Sequence, residues 1–311
     1  MPLPTPPTKV WTPRQHLAVG LQFGDLEIRS VLGVGGSAVT YRAVNVRTNH
    51  EAALKEYFPR RWAVRRSDGT VTAATAGFAP LFRAGLDRFI TEAQILARFR
   101  APGIVRVDRV FASMGTGYML LAYVGGPTLA QWLELRRSPP SQAELDGFIS
   151  SITSTLAMIH AAGILHCDIG PRNIMLADNG LPILIDFGSA RFSMAQQSPE
   201  PAVLVTPNYS PQELYNSSGS QRGPWTDIYA TAAVLHALLM GIPPPAAPER
   251  ALGVQYVRLS ADPRLQGYRS SFLSAVDWGL EFLPGRRPQS ITQWLSAIHT
   301  PKSQSPTGLR V

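Results

Sequence analysis

In ILHCDIGPRNIML, Ile164 to Leu176, Asp168 and Asn173 stand five apart in a loop that follows a helical pattern. A carboxylate can orient a hydroxyl and accept its proton, and a carboxamide oxygen can ligate Mg2+. In LIDFGSARF, Asp186 follows apolar Ile183, Leu184 and Ile185 and precedes Phe187 and Gly188, so a second hard oxygen ligand sits at the end of a strand pattern. Either stretch alone also reads as turn chemistry, which Asp and Asn commonly supply.

Three further features fit phosphate chemistry. In LGVGGSAVTYRA, Gly33, Gly35 and Gly36 lie between two strand patterns. A backbone without side chains can approach phosphates and offer its N–H groups. A dinucleotide-binding fold would need a helix directly after the glycines, whereas VTYRAVNV reads as a strand. Lys55 in ALKEY follows apolar Ala53 and Leu54 on a strand, and by itself could be an edge lysine with its head in water. Glu92 lies on an apolar helix face, three after Phe89 and four before Leu96. A carboxylate turned toward a core needs a cation, and Lys55 on the preceding strand is the partner at hand.

The elements that must position these residues follow from periodicity. DLEIRSVLG, AVTYRAVNVR and EAALKEYF read as strands. Residues 59–85 read as a long irregular connection. From Leu86 the apolar residues Phe89, Ile90, Ala93 and Leu96 recur at helical spacing, and strand patterns follow near Ile104 to Phe111 and Tyr118 to Val124. After Gly125-Gly126 the chain turns helical. Ile149, Ile152, Leu156 and Ile159 form a stripe that Gly163 ends, and Ser290 with Gln293 predicts a capping box before ITQWLSAI. Ile228 to Ile242 is too short to span a bilayer and reads as a buried helix. The pattern is α+β, strands first and helices after, with a hinge near residue 125 and no internal repeat.

Composition narrows the class. The 311 residues are 45% hydrophobic and 16% charged, the balance of a globular chain with room for two modest lobes. The net charge of +8 invites acidic partners. No run of five or six Lys or Arg occurs, which argues against nucleic acid. Cys167 is the only cysteine, so an internal disulfide is excluded, as fits a reducing compartment. MPLPTPPTKVW reads as a flexible Pro-rich lead rather than a secretory signal.

Taken together and in this order, the five features resemble the protein-kinase family, over roughly residues 23–299. KEYFP and RPQS resemble the bacterial members of the eukaryotic-type Ser/Thr kinases, although the sequence alone gives no physical reason for EYFP. The resemblance implies a two-lobed kinase-like fold: a flexible lead over 1–22, a small β-rich lobe with one main helix over 23–124, a larger helical lobe over 125–299 and a flexible tail over 300–311. It implies an enzyme that uses ATP with Mg2+, or alternatively Mn2+, to phosphorylate Ser or Thr of protein substrates; the cysteine count, the N-terminus and the short apolar stretch lead us to expect a cytoplasmic protein with no membrane span. Lys55 would contact the α- and β-phosphates and pair with Glu92. Asp168 would be the catalytic aspartate, and Asn173 and Asp186 would hold the metal. Leu121 would be the gatekeeper, backbone groups of Ala122 and Val124 would bind adenine, and Val39, Ala53 and Met175 would sandwich its ring. TPNYSPQEL would end the activation segment, with Thr206 near the acceptor and Glu213 paired to Arg287, while Asp227 would cap the catalytic loop.

Four positions depart from the family pattern. Ala38 stands for the third glycine of the loop, and Pro211-Gln212-Glu213 for Ala-Pro-Glu. Cys167 replaces an arginine that commonly pairs with a phosphorylated activation loop, so activity is expected not to need that phosphate. The cysteine reads either as a redox switch or as a small buried filler. Gly170 replaces a lysine that contacts the γ-phosphate. Arg172, four after Asp168, has the layout of the DLAARN tyrosine kinases, where an arginine at that spacing stands in for the lysine; it could instead merely face solvent. The alternative to an active kinase is therefore a pseudokinase that binds nucleotide or partners without turnover.

Overall fold

The computed structural model describes residues 16–187, 191–192, 205–215 and 222–300. The expected tail beyond Thr300, Gly188 and most of the Pro-rich lead lie outside these residues. The chain divides into two compact units, Met1–Val124 and Gly125–Val311. Among the described residues no helix is long and apolar enough to cross a membrane.

The first unit is built on strands β1 (Gln22–Phe23), β2 (Leu26–Val34), β3 (Ala38–Asn45) and β4 (Glu51–Tyr57). A short hairpin, β5 (Ala63–Arg65) with β6 (Val71–Ala73), precedes helix α1 (Ala79–Leu96) and strands β7 (Val107–Ser113) and β8 (Thr116–Ala122). The main sheet is antiparallel in the order β1-β2-β3-β4-β8-β7, which puts the strand of Lys55 in its middle.

Two expectations need correction here. The connection after residue 58 is not irregular throughout. It contains the β5–β6 hairpin, and α1 begins at Ala79, seven residues before the first apolar position of the sequence pattern. Pro80 at the start of the helix supplies a preset φ where no N–H is needed. Residues 17–20, within the expected lead, are also tied to the sheet. Leu17 is buried and donates its N–H to the Tyr41 hydroxyl at 3.2 Å, and Gly20 N–H reaches Ile28 O at 2.8 Å.

Helix α1 is anchored to β4 by aromatic packing. Tyr57 lies 5.5 Å from the Phe82 ring and 5.8 Å from Phe89. Gly85 makes this possible, because a Cβ there would sit 2.0 Å from the Tyr57 hydroxyl oxygen.

The second unit contains helices α2 (Leu129–Leu135) and α3 (Gln142–Ala161), strands β9 (Ile164–Leu165), β10 (Ile174–Leu176), β11 (Pro182–Leu184) and β12 (Arg191–Phe192), then helices α4 (Gln212–Tyr215), α5 (Pro224–Met240), α6 (Ala247–Ala251), α7 (Ser270–Gly279) and α8 (Ile291–His299). The α3 stripe is fully buried, each such side chain contributing roughly 1.5–3 kcal/mol. Ser141 and Glu144 form a reciprocal capping box at its start. At its end Gly163 takes a φ of 72°, the left-handed geometry that closes a helix, with its N–H on His160 O. Helix α5 is buried almost along its whole length. The box expected at α8 forms by half. Ser290 Oγ accepts from Gln293 N–H, but the Gln293 carboxamide reaches one residue further back, to Gln289 N–H at 2.7 Å.

Glu213 and Arg287 make the pair that the resemblance implies. Both are almost fully buried and bidentate, at 2.7 and 3.2 Å. Arg287 also donates to the carbonyls of Glu281 and Phe282 and lies 4.7 Å from the Tyr229 ring centroid. Removing one partner of such a pair strands a buried charge. Arg287→Met is therefore expected to lower the stability of this chain by about 3–5 kcal/mol, read as a shifted midpoint in urea unfolding at pH 7.

Candidate active site

Helix α5 sets the loop that carries Asp168 through one carboxylate. Asp227, with no exposed surface, accepts the backbone N–H of His166 at 2.9 Å and of Cys167 at 2.8 Å, and Nε2 of His160 at 2.7 Å. Burial would raise this carboxyl, but the His160 hydrogen bond and the neighbouring imidazoles outweigh it and hold Asp227 below the ordinary carboxylate range.

Burial lowers His166, so its ring is neutral. Nδ1 accepts the Asp168 N–H at 3.3 Å, and the ring packs 4.5 Å from that of Phe187, next to Asp186. Sequence reasoning did not single out His160, His166 or Phe187. The signal available was a pair of histidines bracketing the turn before the loop.

With the backbone fixed, Asp168 is held from two sides. Asn173 Nδ2 donates to its carbonyl at 2.8 Å and to Oδ2 at 2.9 Å, and the Thr206 hydroxyl donates to Oδ1 at 2.7 Å. A hydroxyl thus already sits on the carboxylate oxygen. Because the Asn173 amide nitrogen faces Asp168, its Oδ1 is turned elsewhere. The single turn Pro171–Asn173 leads into β10, which pairs with β11, and β11 ends just before Asp186. Ile185 N–H on Asn173 O at 3.1 Å ties the two candidate metal ligands into one backbone frame. Met175 lies on β10, half-buried.

The departures are also placed. Cys167 is buried with φ at 60° and packs with Leu165, Leu214 and Val205, an apolar site. That is the small-filler reading of the residue. Gly170 has an extended φ of −169°, and a Cβ there would make ordinary contacts of 3.8 Å to Thr206 and 3.9 Å to Tyr209. Arg172 is exposed and makes no hydrogen bond or ion pair with another described residue.

In the first unit, the glycine-rich hairpin joins β2 to β3 and closes by Gly35 N–H to Ala38 O at 2.8 Å; Gly33 pairs with Thr40, Val34 with Val39 in the last rung, and Gly36 is exposed at the tip. Ala38, in place of the third glycine, is buried on β3. Lys55 lies on β4 opposite Thr40 of β3 and Met119 of β8, and Glu92 on α1; both are buried.

The register corrects one assignment. Directly paired residues share a sheet face and neighbours alternate. Val39 pairs with Glu56 and so faces away from Lys55, whereas Thr40 shares the Lys55 face with Ala53 and Leu121. Val39 therefore cannot pack with Ala53 on one ring; Thr40, half-buried, is the β3 residue on that face. Ala122 and Val124 are half-buried as well, and Ala122 N–H is committed to Arg106 O at 2.9 Å.

The protein kinase domain family matches residues 26–288. The chain belongs to the protein kinase family. It is 32% identical to a probable serine/threonine-protein kinase of Streptomyces coelicolor over 78% of this chain and 34% of that protein. It is 30% identical to the serine/threonine-protein kinase PknH of Mycobacterium tuberculosis over 74% and 34% respectively. The solved structure described as "PpkA-294 apo form" matches with a TM-score of 0.80 and 35% identity, covering 92% of this chain and all of that one. The chain spans about a third of the length of these curated relatives. The kinase-like fold is thus shared, a β-rich first unit followed by a mainly helical second.

Asp227→Asn tests the loop's anchor. The amide offers one acceptor where three donors converge, and a loss of about 2–3 kcal/mol is expected in denaturant unfolding. The native carboxyl is depressed, so its stabilising effect is full above the ordinary value of 3.8 and fades as pH falls below it. The variant should therefore lose less of its remaining stability between pH 5 and pH 3 than the wild type, within the range where linkage acts.

Proposed function

We propose that this chain is a Mg·ATP-dependent protein kinase acting on Ser or Thr hydroxyls. The observation that carries this reading is the Thr206 hydroxyl on Asp168 Oδ1 at 2.7 Å, with Asn173 holding the other oxygen. A carboxylate so arranged orients a hydroxyl and takes its proton. The bacterial Ser/Thr-kinase names of the relatives support the substrate class.

The residues fit the metal the family uses. Asn173 Oδ1 and the Asp186 carboxylate are hard oxygens, and among the described residues no group of three or more His, Cys, Asp or Glu could hold an ion alone. That suits Mg2+, which takes one or two protein oxygens and completes its shell with phosphates and water; Mn2+ would accept the same donors. When bound, Mg·ATP supplies the transferable phosphoryl group and the charge that balances it. The glycine-rich hairpin offers N–H groups to the phosphates, Lys55 adds its ammonium, and Glu92 is the carboxylate assigned to steady Lys55. Within the first unit, Ala53, Leu121 and the Thr40 methyl would offer apolar surface to adenine, with the Ala122 carbonyl and the Val124 N–H reading its edge. In the transfer, the substrate oxygen bonds to the γ-phosphorus as the bond to the β-phosphate oxygen breaks. ADP leaves, and Asp168 accepts the hydroxyl proton.

A radiolabelled ATP assay on a generic protein substrate decides between this and a pseudokinase. Wild type should transfer label, while Asp168→Ala and Lys55→Met should lose it by about 10²-fold or more with the fold retained, since both act through position and charge. Nucleotide binding without transfer by the wild type would establish the pseudokinase instead.

Arg172 is the cation we assign in place of the lysine missing at Gly170. It stands four after Asp168, and its guanidinium is long enough to turn back toward phosphate oxygens. Arg172→Ala should lower kcat on the order of 10²-fold with a much smaller change in ATP affinity. Gly170→Lys in that variant should recover part of the loss, because the first side-chain atom has room. Full activity in Arg172→Ala would mean that the enzyme works without this cation.

A further inference from the structure

Strand β4 ends at Tyr57, and the chain runs on through Phe58-Pro59-Arg60, a continuation that reaches the glycine-rich hairpin twice. Phe58 N–H donates to Ser37 O at 2.8 Å, and Arg60 Nε donates to Gly35 O at 3.1 Å. The segment that carries Arg60 is itself fixed. Pro59 O accepts the N–H groups of Trp62 and Ala63, and Ala74 N–H closes on Trp62 O. Arg65 then locks the following hairpin to the strand by donating to Glu56 Oε2 at 2.5 Å and by lying over the Phe58 ring at 5.2 Å.

A glycine-rich tip loses more backbone entropy on ordering than any other sequence, so it stays ordered only if held from outside. A trans peptide also holds its C=O and N–H antiparallel. Fixing the Gly35 carbonyl on Arg60 therefore aims the Gly36 N–H the opposite way, and fixing the Ser37 carbonyl on Phe58 does the same for the Ala38 N–H. The backbone bond from Phe58 comes with strand β4. The bond from Arg60 depends on one exposed side chain.

We propose that Arg60 is a positioning residue of the glycine-rich hairpin, which by holding the Gly35 carbonyl keeps the Gly36 N–H aimed at the nucleotide phosphates. The phosphate half of this statement rests on the nucleotide-binding reading given above; the clamp itself does not. Arg60 gives the KEYFPR stretch a role beyond packing: the chain that carries the phosphate-binding lysine also sets the loop that would cover the phosphates.

Two measurements on the full chain test it. In the nucleotide-free protein, 15N relaxation of Gly35, Gly36 and Ser37 should show order parameters falling below about 0.6 in Arg60→Ala, while those of β3 and β4 stay near 0.85. With Mg·ATP, Arg60→Ala should raise KM about fivefold and change kcat by less than about twofold, as expected for loss of one hydrogen bond outside the reacting atoms. Arg60→Lys, which keeps a charged donor, should recover part of both effects. Unchanged order parameters in Arg60→Ala overturn the clamp. Changed order parameters with wild-type Mg·ATP affinity, measured by calorimetry, overturn the phosphate role. Failure of the wild type to bind Mg·ATP overturns the nucleotide reading, and the relaxation data still decide whether Arg60 holds the hairpin.

Discussion

A carboxylate with no access to water is costly unless its lone pairs are filled by donors. Asp227 meets that condition with two consecutive backbone N–H groups and one imidazole, and the loop that carries Asp168 takes its shape from doing so. Presenting the N–H groups of His166 and Cys167 to one carboxylate requires a sharp reversal, and Cys167 accordingly sits at a φ of 60°. A non-glycine residue there costs roughly 1–2 kcal/mol, which three charge-assisted hydrogen bonds more than offset. The reversal projects Asp168 out of the turn, where Asn173 and Thr206 can each hold one of its oxygens. Strain at the loop, burial on α5 and the geometry of the candidate base are thus one constraint.

The first unit uses the same device. Glu56 has no exposed surface and is filled by the hydroxyls of Tyr41 at 2.9 Å and Tyr118 at 2.7 Å and by Arg65. The two tyrosines come from β3 and β8, the strands on either side of β4. Burial, then the Glu56 charge, pushes both phenols far above their ordinary range, so they remain donors at any physiological pH. One carboxylate therefore stitches three strands across the face opposite Lys55. On the Lys55 face, Tyr57 does the matching work against α1. The four residues EYFP then have distinct tasks: Glu56 sets the sheet, Tyr57 seats the helix, Phe58 ties the glycine-rich hairpin and receives Arg65, and Pro59 caps the turn that launches Arg60.

What could be read in the sequence follows from how local each signal is. Strands β2, β3 and β4, the α3 stripe and the buried α5 helix were legible because apolar periodicity reports burial on one face. Lys55 and Glu92 stood out as charged residues in apolar surroundings, and both are buried; Asp168 and Asn173, expected in one loop, are joined by a hydrogen bond. The start of α1 was missed since its first turns carry Pro80 and Gly85, residues that read as breakers in sequence, whereas Gly85 serves to admit Tyr57 of β4. Val39 and Thr40 differ by one residue, and in a strand one residue exchanges the faces; only the pairing with Glu56 and Lys55 decides which belongs beside Ala53. The Gln293 carboxamide went to Gln289 because two backbone N–H groups one residue apart are nearly equivalent targets.

The two missing cations of the loop differ in physical kind. At Cys167 the side chain lies among Leu165, Leu214 and Val205, so an arginine there would have to carry its charge through an apolar cluster, at a cost of several kcal/mol without a partner. That position has passed from electrostatics to packing. The apolar contact itself joins β9 to the stretch Val205 to Leu214, the part of the chain that a phosphate–arginine pair would otherwise order. At Gly170 nothing of the kind has happened. The backbone is extended, and the atoms a Cβ would meet, the Thr206 methyl and the Tyr209 ring, stand at ordinary contact distance. The loop is closed to a cation on one side of Asp168 and open to one on the other, and the open side is the one Arg172 follows.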